Sequence, residues 1–158
     1  MQPDLPPLPF SRILCYTDFS PAALRAFSFA AALAARRPGA SLTLLHVIPE
    51  PPAQFWKGYI YGVDDDVDAR AKSEIDARID SSYRPLVPPS ADFTVAMRIG
   101  EPLQNILDQA RETGADLLVL GRPSNTLAKW LSRSLAQRLD RRVACPVLVV
   151  PAETPSPA

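Results

Sequence analysis

Leu117-Leu-Val-Leu120 is an unbroken apolar run of strand length that stops at Gly121, and the chain repeats this pattern. Apolar residues at successive positions, without three- or four-residue spacing, suit a strand buried on both faces of a parallel sheet. Arg12-Ile-Leu-Cys-Tyr-Thr17, Ser41 to Ile48 and Val147 to Val150 read the same way. Between them lie segments of helical period. Ser20 is suited to cap a helix and Pro21 to open it, and Leu24, Phe27, Ala30, Ala31 and Ala34 then fall on one stripe. Val67, Ala71, Ile75, Ile79 and Tyr83 step by fours, with charged residues on the opposite, solvated face. Gly100-Glu-Pro102 opens a further helix with Leu103, Ile106, Leu107 and Ala110 inward, and Gly114 closes it at the C′ position. Leu127, Trp130, Leu131, Leu135 and Leu139 mark the last helical region.

This alternation predicts an α/β fold, a doubly wound five-stranded parallel sheet with helices on both faces. Phe93, Val95, Met97 and Ile99 alternate with Asp92, Thr94, Ala96 and Arg98, so the third strand has one wet face and belongs at an edge. The flavodoxin-like order 3-2-1-4-5 meets that condition and puts the switch point between the first and fourth strands. Ligands in such sheets bind outside the carboxyl ends of the strands. Here that crevice is framed by Thr17 to Ser20 on one side and by Gly121 to Thr126 on the other, with His46 and Val47 closing it.

The chain's 158 residues suit one domain, expected over residues 11–151 between a proline-rich leader (1–10) and a flexible tail (152–158). Lys plus Arg equal Asp plus Glu at 17 each, so no basic field recruits nucleic acid or an acidic membrane surface. The longest apolar runs are strand-length and the leader has no apolar core, which predicts neither a signal peptide nor a membrane span and a cytoplasmic location. Cys15 and Cys145 fall in or beside buried strands, two strands apart in the expected order, and are expected to be free thiols. Pro49 to Asp66 lacks periodicity but carries Phe55, Trp56, Tyr59 and Tyr61; a cluster capping the core is expected, with a ligand lid as the competing reading.

Catalytic groups are few. One histidine and two strand cysteines provide no nucleophile–base set and no metal-ligand spacing, and His46 reads as a hydrogen-bonded core residue. A phosphate-accepting receiver domain needs an aspartate where the third strand ends, and Ile99-Gly100 stands there. A flavin site needs a small polar loop after the first strand, where Asp18 instead presents a carboxylate.

Arg12-Ile-Leu-Cys-Tyr-Thr-Asp-Phe-Ser-Pro-Ala-Ala, Leu44-Leu-His-Val, Ala115-Asp-Leu-Leu-Val-Leu-Gly and Cys145-Pro-Val-Leu-Val-Val, in this order and spacing, resemble the universal stress protein family over roughly residues 11–151. The resemblance implies a cytosolic stress-response protein, usually dimeric, in a family whose members divide into those that hold ATP or AMP and those that do not. In nucleotide-holding members the residues matching Asp18 and the backbone of Val47 contact adenine. Their phosphate pattern, Gly-x2-Gly-x9-Gly-Ser/Thr, is altered here. Gly121 and Ser134 match its ends, but Pro123 or Ser124 replaces the middle glycine, Arg133 replaces the third, and the loop is one residue shorter. Proline removes an N–H, and a side chain obstructs close approach to a phosphate. Ser124, Asn125 and Thr126 still offer hydroxyls and amides, and Arg122, Lys129 or Arg133 charge, for a nucleotide with fewer phosphates. The expectation is a non-enzymatic universal stress protein with weak or no ATP binding, acting as a homodimer through protein partners; the alternative is an ATP/AMP sensor with a rebuilt loop. Val147 to Val150, wholly apolar at a sheet edge, is the expected dimer seam.

Overall fold

Parallel strands β1 (Arg12–Thr17), β2 (Ser41–Ile48), β3 (Asp92–Ile99), β4 (Leu117–Arg122) and β5 (Val147–Pro151) lie side by side in the order β3-β2-β1-β4-β5. This is the order that the wet face of β3 predicts. The computed structural model describes residues 10–49, 65–122 and 135–152. The phosphate-loop candidates Ser124, Asn125, Arg133 and Ser134, most of the aromatic loop, and most of the leader and tail lie outside the described residues.

One face of the sheet is covered by α1 (Pro21–Ala35) together with α2 (Asp65–Arg78) and the turns that follow it; the other is covered by α3 (Pro102–Thr113) and α4 (residues 135–142). Ser20 caps α1, its Oγ accepting from the Ala23 N–H at 3.1 Å, and Pro21 stands in the first turn. Six alanines of α1 (Ala22, Ala23, Ala26, Ala30, Ala31 and Ala34) are buried, so the helix axis lies close to the strands. At Gly121 the approach is closest: a Cβ there would stand 2.5 Å from the Ala22 carbonyl carbon and 2.7 Å from the Ala23 nitrogen. Only glycine fits that contact.

The sequence places the end of the fourth strand at Gly121. The strand instead continues through it, Gly121 pairing with Val150 and Arg122 with Pro151, because the missing side chain serves helix packing rather than a turn. In β3, Phe93, Val95 and Met97 face the core as expected, whereas Ile99 is 59% exposed. It is the last residue of an edge strand, immediately before the chain turns at Gly100 with φ 127°. Arg98 on the opposite face is satisfied by α3, donating from Nε to Gln109 Oε1 at 2.8 Å and pairing with Glu112.

The four-residue spacing from Ile75 to Tyr83 has a structural counterpart. On a regular helix of about 3.6 residues per turn, steps of four drift progressively off one face. Residues Ile79–Tyr83 form a π-helical turn, closed by the Arg84 N–H donating to the Ile79 carbonyl, and both Ile79 and Tyr83 are buried. The wider turn cancels the drift and brings Tyr83 onto the core.

At the amino end of the sheet, Asp116 ties β1 to β4. Its carboxylate accepts from Ser11 N–H at 2.9 Å, Ser11 Oγ at 3.0 Å and Arg12 N–H at 2.9 Å.

Candidate functional site

Where β1 ends, alternation sends its residues to opposite sides of the sheet. Tyr16 and Asp18 turn toward the α3 and α4 side; Thr17 and Phe19 turn toward α1 and α2. Thr17 is fully buried, its hydroxyl 2.6 Å from the Tyr83 hydroxyl and accepting from the Phe19 N–H at 2.9 Å. Asp18 Oδ1 accepts from the Ser20 N–H at 2.9 Å, a local turn that aims the carboxylate outward. Between them Phe19 takes φ 62°, a conformation costly for a bulky residue. Its ring is held by His46 at 4.5 Å, by Tyr83 edge-on at 5.9 Å, and by the Arg78 guanidinium 4.7 Å from the ring centre. Packing therefore over-determines the turn that presents Asp18.

A cavity of about 380 Å³ opens at this point, lined by Tyr16, Asp18, Ala23, Glu101, Pro102, Leu103, Leu120, Gly121, Arg122, Leu135, Ala136, Arg138 and Val149. Its floor is apolar and its rim is charged, the usual construction of a small-molecule site. The Tyr16 phenol is a hydrogen-bond donor at neutral pH, and burial, then the Asp18 charge, push it further up to about 12. Arg138 Nη1 lies 3.8 Å from Glu101 Oε1 across the rim.

Of the residues expected at the site, Asp18, Gly121 and Arg122 line this cavity together. Ser20 is occupied as the α1 cap, Thr17 is turned away under Tyr83, and Val47 is buried beside Leu14 and Leu45. His46, expected to close the crevice, does not line the cavity: on β2 it turns to the Phe19 side, and the Thr17 carbonyl it meets at 2.9 Å can only accept, so Nδ1 carries a proton. Tyr16, Glu101 and Arg138 were not among the expected site residues. Tyr16 had a readable signal, since it stands two residues before Asp18 on the same strand face. The Glu101–Arg138 pair had none, since only the fold brings the N-cap of α3 beside the middle of α4. Among the described residues, no helix is long and apolar enough to cross a membrane, and no three His, Cys, Asp or Glu side chains gather to hold a metal. Cys15 and Cys145 are both free thiols, as expected.

The family model of the universal stress protein family matches residues 9–151. The chain belongs to that family. Among solved structures, it is similar to the universal stress protein UspA from Lactobacillus plantarum, at 24% identity and a TM-score of 0.67 over 89% of this chain and 97% of that one. A universal stress protein in complex with cAMP aligns at 23% identity and a TM-score of 0.58 over 91% and 98% of the two chains. A universal stress protein family protein from Arabidopsis thaliana with AMP bound aligns at 18% identity and a TM-score of 0.53 over 92% and 96%. At such identities the likeness is one of fold. No curated protein sequence matches the chain.

Proposed function

We propose that this chain is a non-enzymatic universal stress protein whose switch-point cavity takes an adenine nucleotide with few phosphates, that it holds ATP weakly or not at all, and that it works as a homodimer through protein partners. The observation that carries this reading is the cavity of about 380 Å³ with the Asp18 carboxylate on its wall. A carboxylate acceptor beside the Tyr16 phenol donor complements a flat heterocycle edge that offers both an amino donor and a ring-nitrogen acceptor, as adenine does. The cAMP and AMP complexes of two proteins of the same fold support adenine as the base. Gly121, which matches the start of the phosphate pattern, is committed to the backbone of Ala22 and Ala23, and Pro123 lacks an N–H for a second phosphate contact. Asp18 serves recognition in this reading, and no base–nucleophile pair is assigned to hydrolysis.

Chromatography of the nucleotide released on denaturing the purified protein tests this directly. The expected result is an adenine mononucleotide, with no phosphate release when ATP and magnesium are added to the protein. Stoichiometric ATP in the released fraction, or steady turnover of added ATP, would overturn the proposal.

A further inference from the structure

The charged rim of the cavity has a pattern that adenine recognition leaves unused. Besides Asp18 it contains Glu101, Arg122 and Arg138, giving two carboxylates and two guanidinium groups. The Glu101–Arg138 pair joins the amino end of α3 to α4, both side chains more than half exposed. Its 3.8 Å separation is longer than the ~2.7–2.9 Å of a charge-assisted hydrogen bond, and exposed pairs of this kind contribute little. Glu101 stands at the α3 N-cap, yet its side chain caps nothing. Its carboxylate is therefore readily replaced as the partner of Arg138. Arg122, exposed at the end of β4, makes no ion pair among the described residues.

We infer that Arg138 is the receptor for the ligand's phosphate, exchanging Glu101 for that phosphate when an adenine mononucleotide enters, with Arg122 as the second cation. This rests on the adenine reading of the same cavity. A phosphate monoester presents more charge and more acceptor oxygens than one carboxylate, and the planar guanidinium fork engages two of those oxygens at once. The same rim limits the number of phosphates. Two cations balance one phosphate group, whereas each further phosphate adds negative charge facing Asp18 and Glu101.

Titration calorimetry with AMP and with adenosine, on the wild-type chain and on Arg138→Gln and Glu101→Gln, tests the exchange. The wild type should bind AMP about tenfold or more tightly than adenosine. Arg138→Gln should erase that preference by weakening AMP alone, and Glu101→Gln, which frees Arg138, should tighten AMP several-fold without changing adenosine. An AMP preference that survives Arg138→Gln overturns the inference, as does a Glu101→Gln variant that loses AMP. Equal wild-type binding of AMP and adenosine defeats the phosphate receptor and leaves the adenine reading standing. Binding of neither defeats both.

Discussion

Two residues at the crevice show how chemistry and packing share positions. Asp18 is held outward by its bond to the Ser20 N–H and by Phe19, whose left-handed backbone is fixed by His46, Tyr83 and Arg78. Gly121 touches the cavity, but the stronger demand on it is steric. Gly121→Ala should lower the free energy of unfolding by about 1–3 kcal/mol, since its methyl would meet backbone rather than a movable side chain. Urea denaturation measures this, and an unchanged midpoint would show that α1 shifts freely. Burial pushes the Cys15 thiol up from an ordinary 9.0; burial and then the Asp18 charge bring Tyr16 from 10.0 to about 12. Tyr83 and Cys145 move upward too, burial again being the main cause. Each folded value exceeds the unfolded one, so these groups stabilise fully below pH 9 and lose their contribution as the unfolded chain ionises first. Stability should therefore fall steadily from about pH 9 upward. A denaturation midpoint constant to pH 11 would contradict that assignment.

β5 is the last strand of the sheet, and among the described residues no strand pairs with its outer edge. The Leu118 N–H donates to the Pro146 carbonyl, so even-numbered residues of β5 turn their backbone groups to β4 and odd-numbered ones turn outward. The Ala152 N–H, donating to the Arg122 carbonyl, continues the same alternation. Pro151 is tolerated because its missing N–H falls on the outward side. Val149, at an outward position and 39% exposed, leaves an apolar edge whose backbone donor has no partner among the described residues. A second copy of β5 laid antiparallel along it satisfies both needs, which is the reason for proposing a homodimer through Val147 to Val150. Val149→Pro removes an outward donor without touching the bonds to β4. Light scattering should find a dimeric wild type and a folded, monomeric variant. A wild-type monomer at high micromolar concentration, or a variant that stays dimeric, would count against this seam.

The sheet order was legible in the sequence because its signals are local: apolar runs for β1, β2 and β4, Ser20-Pro21 opening α1, Gly114 in left-handed conformation at φ 62° closing α3, and alternation placing β3 at an edge. Contacts between distant residues were not. Asp116 meets Ser11 across 105 residues and Thr17 meets Tyr83 across 66, and neither side chain announces its partner in sequence. The site divides in the same way. Asp18, Gly121 and Arg122 follow from strand ends at a switch point, while Glu101 and Arg138 become neighbours only when α3 and α4 pack on one face. Selection of an adenine mononucleotide through Asp18 is the role proposed for this cavity. Calorimetry of AMP and of ATP with magnesium, on the wild type and on Asp18→Asn, examines that role, since asparagine keeps an acceptor for the Ser20 N–H while removing the charge and turning the second carboxylate oxygen into an amide donor. AMP should bind about tenfold or more tightly than ATP, and Asp18→Asn should lose AMP binding. ATP binding as tight as AMP, or AMP binding unchanged by Asp18→Asn, would contradict it.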